Sequence, residues 1–401
     1  MSMNEMDRVR DLLREPPPPS AKSTAQALDL LEDEMAGRRV RARRPRRFGF
    51  GWSAGLGIGL VAAGAAAAVA VALTGQGTPG SPGSPDAPPG VDLNKQAVLA
   101  AAAKVELTPT GKYWYTDCID GQSYIVRAKT GTYAIVGAAS ESFSWTGVKK
   151  GTGEAYYGRD LPARPLTAKD EALWKKAGSP SKFRVWSNDH YYTYAAKATK
   201  WRSDGPEVGI DPEGGGEFLG EPVEEWQDLP TDPAALAEKF LSGNEARGGM
   251  VPRANGGRKP TEAQTASAGI WRTSSILGGT PVPPKVRAGL MRALASRPGI
   301  TAIGRVADPL GRDGVALAAP ERTAKITGEY GGPKAEQGTY GHRLVIVFDE
   351  KTGGVLSVQD TLTKPGGPYA EMKPGFIINY MAVRSSGWTD TKPKPPAQLP
   401  F

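Results

Sequence analysis

Cysteine and histidine are scarce in this 401-residue sequence, which contains one cysteine, Cys118, and two histidines, His190 and His342. A single cysteine excludes a disulfide within the chain, so the core alone must hold any folded domain together. The zinc-site spacings H-x-x-x-C-x-x-C and H-E-x-x-H do not occur. We therefore expect a buried, unreactive Cys118, no metal, and histidines that have structural partners at the surface or at strand ends.

The sequence also lacks an evident set of catalytic residues. It has no P-loop. Two groups of acids remain as alternatives, because Asp117 and Asp120 flank Cys118, and a second group precedes Trp226, namely Glu221, Glu224 and Glu225. Paired carboxylates can perform acid and base chemistry, but adjacent acids in a loop are typically solvated. We predict no catalytic residue and no cofactor, and we predict that the protein is not an enzyme.

A strong charge of one sign is missing as well, since the formal net charge is only +8 over the whole chain. Binding to nucleic acid needs a basic surface together with side chains that read the bases, and we find neither. Nucleic acid is therefore not an expected partner.

The sequence does contain one long uncharged stretch. No charged residue lies between Arg47 and Asp86, an interval of 38 residues. About 20 apolar residues suffice to cross a bilayer core about 30 Å thick as a helix. Residues 48–73 therefore predict one transmembrane helix, and the lipid bilayer is a predicted partner.

Basic residues flank only one end of this stretch. The other end has no Lys or Arg before Lys95. Because basic flanks stay on the cytoplasmic side, we expect a single-pass protein of the cell membrane with a cytoplasmic N-terminus and an extracytoplasmic C-terminal domain. The residues that orient it are Arg38, Arg39, Arg41, Arg43, Arg44, Arg46 and Arg47.

Two further interpretations of the apolar stretch stay open. Ala70-Val71-Ala72 is compatible with a signal-peptide cleavage site, although a 47-residue leader and a long apolar run favour an uncleaved anchor. Gly51, Gly55 and Gly59 are spaced four apart and give a smooth helix face, which would permit close packing against another helix. The oligomeric state is not determined by these patterns.

The remaining sequence divides at composition changes. Residues 1–47 form a predicted cytoplasmic tail with two short helices and the arginine cluster, and residues 74–91 form a linker rich in Pro, Gly and Ser. Residues 92–401 form the predicted extracytoplasmic domain.

The extracytoplasmic domain shows two rounds of helix followed by strands. Helices are predicted after the caps Asp92, Thr167 and Asp232, at 261–277 and at 284–296. Short strands are predicted at 112–116, 123–128, 133–136, 142–145, 154–158, 183–186 and 191–194, and a second set at 300–306, 315–319, 324–329, 343–348, 355–362 and 376–383. This order predicts an α+β fold in which a curved antiparallel sheet packs on helices.

The segments EEWQDLPTDPAALAEKF, LMRALASRPGITAIGRVADPLGRDGVALA and RLVIVFDEKTGGVLSVQDTL follow an arginine-flanked apolar helix in this order. This arrangement resembles a family of actinobacterial single-pass membrane proteins of unknown function, which supplies no catalytic residues. The strand pattern resembles, more loosely, the half-barrels of periplasmic lipoprotein carriers and of envelope-stress regulators that sense lipids. That resemblance implies a concave apolar sheet able to hold a lipid tail.

These features favour a non-enzymatic, membrane-anchored protein of the cell envelope whose outer domain binds or senses a lipid or protein ligand. One alternative is an anti-sigma-like regulator whose tail binds a cytoplasmic partner. Another is an unrecognised cell-wall enzyme, which a polar cleft around His190 or His342 with a neighbouring acid would favour. Tryptophans of the outer domain could line a ligand groove, but core packing is the simpler expectation for each of them.

Overall fold

Strands from both halves of the predicted extracytoplasmic domain join one large antiparallel sheet. The computed structural model describes residues 92–187, 190–203, 210–242 and 260–401. All of these belong to the unit Ala54–Phe401. The predicted tail, transmembrane helix and linker, with their arginines and glycines, lie outside the described residues and stay predictions.

Local signals in the sequence explain where the described helices begin. Asp92 accepts a hydrogen bond from the Lys95 amide at the start of the helix that follows it, and Thr167 and Thr261 form capping boxes at the starts of two others. The helices are α1 Leu93–Val105, α2 Ala168–Lys176, α3 Val223–Gln227, α4 Pro233–Leu241, α5 Glu262–Gly279 and α6 Pro284–Ala295. Two 3₁₀ turns lie at Lys334–Glu336 and Gly367–Tyr369.

None of the helices within the described ranges combines the length and the apolar character that crossing a bilayer requires.

The strands of the described chain are β1 Tyr113–Ala128, β2 Gly131–Gly147, β3 Glu154–Asp160, β4 Arg164–Pro165, β5 Lys182–Ser187, β6 His190–Ala195, β7 Arg202–Ser203, β8 Ile210–Asp211, β9 Glu217–Phe218, β10 Glu221–Pro222, β11 Thr301–Ala307, β12 Asp313–Ala318, β13 Arg322–Ile326, β14 Gly338–Phe348, β15 Val355–Lys364 and β16 Ile377–Thr389. Two hairpins, β5–β6 and β9–β10, form separate two-stranded sheets. The other twelve strands of the described chain form the main sheet, in the order β11-β12-β14-β15-β16-β1-β2-β3-β7, with β13 on β14, β4 on β2 and β8 on β3.

The largest core lies between this sheet and the helices. Leu290, Met291 and Leu294 of α6 are fully buried there, together with Ile346 and Phe348 of β14. The indole nitrogen of Trp114 donates to the carbonyl of Gly278 at 3.0 Å, which joins β1 to α5. Large side chains from both layers therefore fill this part of the domain, and the predicted α+β fold with a curved antiparallel sheet packed on helices is confirmed.

The two longest strands differ from the sequence prediction. The sequence divides each of β1 and β2 into two short strands because polar and glycine residues interrupt the apolar pattern. The structure continues both strands through these positions and shifts the register between Gln122 and Ser123. Gly121 lies next to this shift and leaves room for the ring of Tyr380 to lie across the strand. A Cβ at position 121 would be 2.2 Å from Cζ of Tyr380, so only glycine fits there. Such bulges bend and twist the strands, which gives the sheet its curvature.

The predicted hairpin in LVIVFDEKTGGVLSVQDTL is confirmed as β14–β15. Its turn contains Gly353, which has φ +74° and lies against α1, since a Cβ there would be 2.3 Å from the Ala101 carbonyl oxygen. A side chain would be strained by its backbone conformation and would also collide with the helix. The turn residue thus sets how closely the sheet approaches α1.

Candidate functional site

Four neighbouring strands bring four charged side chains together in one buried cluster. Asp117 lies on β1, Glu141 on β2, Arg159 on β3 and Arg384 on β16, and the two acids are 1% and 0% exposed. We call these residues the charged cluster. Buried charges are costly unless they are paired and hydrogen-bonded, so the arrangement of these four groups decides whether the sheet is stable.

Glu141 is the centre of the charged cluster. Its Oε2 accepts from Nε of Arg159 at 2.6 Å, and the two residues face each other directly across β2 and β3. Its Oε1 accepts from Nη1 of Arg384 at 2.7 Å. Both carboxylate oxygens therefore have a guanidinium donor, which compensates the removal of this charge from water.

A bulge places Arg384 in the cluster. Asp117 pairs with Ser385 and Cys118 with Val383, so Arg384 is the extra residue between the two pairs. Bulges commonly redirect a side chain in this way. Nε of Arg384 lies 4.0 Å from Oδ2 of Asp117, which brings its charge between the two acids.

Asp117 keeps its proton up to a much higher pH than an ordinary aspartate does. Burial and the neighbouring Glu141 charge raise its pKa to about 7, and the attraction of Arg384 offsets only part of this effect. A protonated Asp117 donates a hydrogen bond to Glu141 where two carboxylates would repel each other. The sequence groups Asp117 with Asp120, whereas the structure pairs Asp117 with Glu141.

The raised pKa of Asp117 predicts a pH dependence of stability. In the unfolded chain the pKa of an aspartate is about 3.9, so the folded state binds the extra proton between about pH 4 and pH 7. The free energy of unfolding should therefore fall as the pH rises through this window, by on the order of 3 kcal/mol from this group. Asp117→Asn, whose amide can still donate to Glu141, should lose that contribution. Urea titrations of both proteins at pH 5 and pH 8 measure the difference, and equal pH slopes would refute the assignment.

The charged cluster is covered by the chain itself. Nη2 of Arg159 donates to the carbonyl of Gln398 at 2.7 Å, and Nη1 of Arg384 donates to the same oxygen at 3.0 Å. Two buried acids that contact two arginines beneath a backbone segment are not open to a substrate. This arrangement favours a structural or binding role over acid and base catalysis.

His342 also has an acidic neighbour. Its Nδ1 lies 2.8 Å from Oδ1 and 2.9 Å from Oδ2 of Asp360 on the adjacent strand, and the two residues are 4% and 6% exposed. An ionised carboxylate only accepts, so Nδ1 is the donor. His342 has a partner, as predicted, but the predicted surface or strand-end position is wrong, because the residue lies inside β14 and is buried. An active site at His342 would need a neighbouring acid in an open cleft. Asp360 is that acid, but the pair is buried and does not line an open cleft.

A polar cleft lies elsewhere on the surface. One has a volume of about 370 Å³ and includes Glu321, whose carboxylate lies 2.7 Å from Nζ of Lys364. Hydrogen bonds from Lys364 and Thr363 lower the pKa of Glu321. The lining is mainly polar: Thr301, Ala319, Pro320, Glu321, Arg343, Thr361, Leu362, Thr363, Pro374 and Gly375. Its polar character differs from the apolar groove that the half-barrel resemblance implies.

The hairpin β5–β6, which we call the aromatic hairpin, carries the second histidine. Phe183 and Val185 of β5 are buried against Tyr124 and Ile135 of the main sheet, so β5 supplies the buried face of the hairpin. The hydroxyls of Tyr124 and Tyr194 lie 3.1 Å apart and their rings are stacked. Tyr194 thus attaches β6 to the main sheet, while the other residues of β6 lie at the surface.

Strand β6 exposes aromatic side chains along its length. Its sequence is HYYTYA, and five of these residues are exposed while Tyr194 is partly buried. The His190 and Tyr192 ring centroids are 3.9 Å apart, and Tyr191 packs edge-on against Trp186. Tyr191 and Tyr192 retain 41% and 38% exposure. His190 therefore lies at the surface, as predicted, and is part of a group of exposed aromatic rings.

The strand pairing shows which backbone N–H and C=O groups of β6 point away from β5. β6 pairs with β5 in the described chain, and the carbonyl of Ala195 instead accepts from the Ala163 amide on the other side. Because backbone groups alternate along a strand, Thr193 and Tyr191 also direct their N–H and C=O away from β5. Strand edges in native proteins are usually protected by charge or proline, and HYYTYA contains neither.

The other residues singled out in the sequence take structural places. Cys118 is 4% exposed, and burial raises the pKa of its thiol, so it is unreactive as expected. Glu224 and Glu225 are exposed on α3, while Trp226 is buried and donates to the Phe218 carbonyl at 2.9 Å. Within the described ranges, no group of three or more Cys, His, Asp or Glu side chains could hold a metal ion.

No family model and no curated protein matches the chain. Among solved structures, LprF from Mycobacterium bovis aligns with 76% of this chain and 98% of its own at 10% identity and a TM-score of 0.18. A similarity at this level carries no argument about fold or function. The two resemblances drawn from the sequence therefore stay predictions.

Proposed function

We propose that this chain is a non-enzymatic binding protein of the cell envelope, anchored by residues 48–73 with its N-terminus in the cytoplasm. The apolar stretch and the arginines that precede it support the anchor and its direction. The domain that follows binds an extended segment of another envelope protein as an added strand on β6. The exposed aromatic edge of β6 is the observation that carries this proposal.

The composition of the aromatic hairpin fits a protein partner. Tyrosine, tryptophan and arginine dominate the energetics of protein interfaces. Here the Arg184 guanidinium lies 3.7 Å from the centre of the Tyr191 ring, and Trp186 packs against the same ring. Strand addition would supply main-chain hydrogen bonds, while the rings would select the side chains of the partner.

The interior of the domain favours binding at the surface over transport of a lipid. Fully buried side chains of α6 and β14 occupy the space between helices and sheet, including Leu294 and Phe348. A lipid tail would have to displace them. The charged cluster and His342 are also closed, which supports a binding role over catalysis.

Thr193→Pro tests strand addition at the backbone N–H of residue 193. Proline removes the outward N–H of residue 193 and leaves pairing with β5 intact, because that N–H points away from β5. With the photoreactive amino acid p-benzoylphenylalanine in place of Tyr191, we expect a discrete protein adduct in cells, which Thr193→Pro should reduce about tenfold.

Thr193→Val is the matched control, because it keeps the backbone donor and a β-branched side chain; the adduct should survive in it. Equal adduct yields in the two variants would rule out strand addition. An adduct of twice the chain mass would assign β6 to a second copy, and an adduct of lipid size would assign it to the bilayer; both would contradict the proposed partner.

A further inference from the structure

The proline-rich segment, residues 390–401, lies across the charged cluster and is held by its backbone. Three successive carbonyls each receive a donor. Nε1 of Trp201 donates to Pro396 at 2.7 Å, Nη1 of Arg159 donates to Ala397 at 3.3 Å, and both arginines of the cluster reach Gln398. We call the surface formed by Trp201, Arg159 and Arg384 the carbonyl groove.

The donors of the carbonyl groove are fixed by contacts that do not involve the segment. Glu141 binds Arg159 through Oε2 and Arg384 through Oε1, and the Arg159 guanidinium lies 4.3 Å from the centre of the Trp201 ring. The groove therefore keeps its shape when the segment leaves. A preorganised site loses little conformational entropy when it binds a peptide.

The large apolar side chains at the end of the segment stay partly open to solvent. Leu399 is 40% exposed and Phe401 is 46% exposed, although the Phe401 ring lies 3.9 Å from the Arg164 guanidinium carbon. Pro395, Pro396 and Pro400 are partly buried, so the groove receives an extended backbone together with its prolines. Proline-rich peptides suit such a site, because they are extended before binding and their carbonyls have no internal partner.

We infer that the carbonyl groove is a receptor site for an extended proline-rich peptide of a partner protein. Residues 396–401 occupy it in the free chain, and the partner peptide displaces them. The site is distinct from the aromatic hairpin, and its occupant carries prolines and accepts hydrogen bonds through successive carbonyls. The resident segment acts as a tethered competitor, which sets the concentration that a partner must reach.

Direct binding is measured with the chain shortened after Asp390, once circular dichroism shows that it is folded. A fluorescent peptide with the sequence of residues 390–401 should bind saturably, and about tenfold or more weakly to the full chain, where the tethered segment competes. Trp201→Phe keeps a ring beneath Arg159 but removes the indole donor, and it should weaken binding about tenfold. Undiminished binding to Trp201→Phe would overturn the assignment.

A second measurement uses the full chain and decides the question even if the shortened chain does not fold. A dye attached at Leu399→Cys reports displacement, because the native Cys118 is buried. Unlabelled peptide should change the dye signal saturably at concentrations up to about 10 mM, above the effective concentration of a short tether. A control peptide in which serine replaces every proline should act more weakly. No change with either peptide, or an equal change with both, would overturn the inference.

Discussion

Glu141→Ala should lower the free energy of unfolding by about 3–5 kcal/mol, because it leaves two guanidinium groups in the charged cluster without their carboxylate. Arg159 is 4% exposed and cannot recover its hydration without opening the sheet. The loss comes from these uncompensated charges more than from the attraction within the pair. Urea titration at pH 7 measures it.

Glu171→Ala is the matched control for the same chemical change. Glu171 forms an ion pair with Lys175 at 2.6 Å, but the two side chains are 48% and 61% exposed. Water screens such pairs, so this variant should change the free energy of unfolding by less than about 1 kcal/mol. Similar losses in the two variants would contradict the central position that we assign to Glu141.

Phe348→Ala should also lower the free energy of unfolding by about 3–5 kcal/mol. The ring is fully buried on β14 in the core that also contains Leu290 and Leu294 of α6. Removing it leaves a cavity because packed neighbours relax only in part. Thermal and urea unfolding both report this loss.

The size of this effect distinguishes a filled core from a ligand cavity. If the space between sheet and helices held a lipid in the cell, the protein without lipid would already lack contacts around Phe348, and truncation would cost little. Leu107→Ala serves as the control. Leu107 is 83% exposed, so this substitution should lower the free energy of unfolding by no more than about 0.5 kcal/mol. A loss of less than about 1 kcal/mol for Phe348→Ala would contradict the filled core.

Helices were predictable from the sequence because their signals are local. Asp232 followed by Pro233 gives the start of α4, and the structure has the helix at Pro233–Leu241 as predicted. The capping side chains Asp92 and Thr167 likewise lie next to the helices they begin. A cap and a first turn depend on a few neighbouring residues, so no tertiary information is needed to find them.

The charged cluster could not be predicted, because its members come from four strands. Glu141 and Arg384 are 243 positions apart in the chain, and only the register of the sheet and the bulge at Arg384 bring them together. In the sequence, Glu141 lies in a polar interval that resembles a turn. The aromatic strand β6 was predicted as a strand, but its exposure depends on how β5 attaches to the main sheet.

The arrangement of the chain across the membrane is tested by cysteine labelling in intact cells. The native Cys118 is buried, so a membrane-impermeant maleimide should leave the unmodified chain unlabelled. Leu107→Cys should be labelled at once, whereas Ser20→Cys should be labelled only after the membrane is permeabilised. Labelling of Ser20→Cys but not of Leu107→Cys in intact cells, or a mature chain that lacks residue 20, would contradict a cytoplasmic tail and an external domain joined by one uncleaved helix.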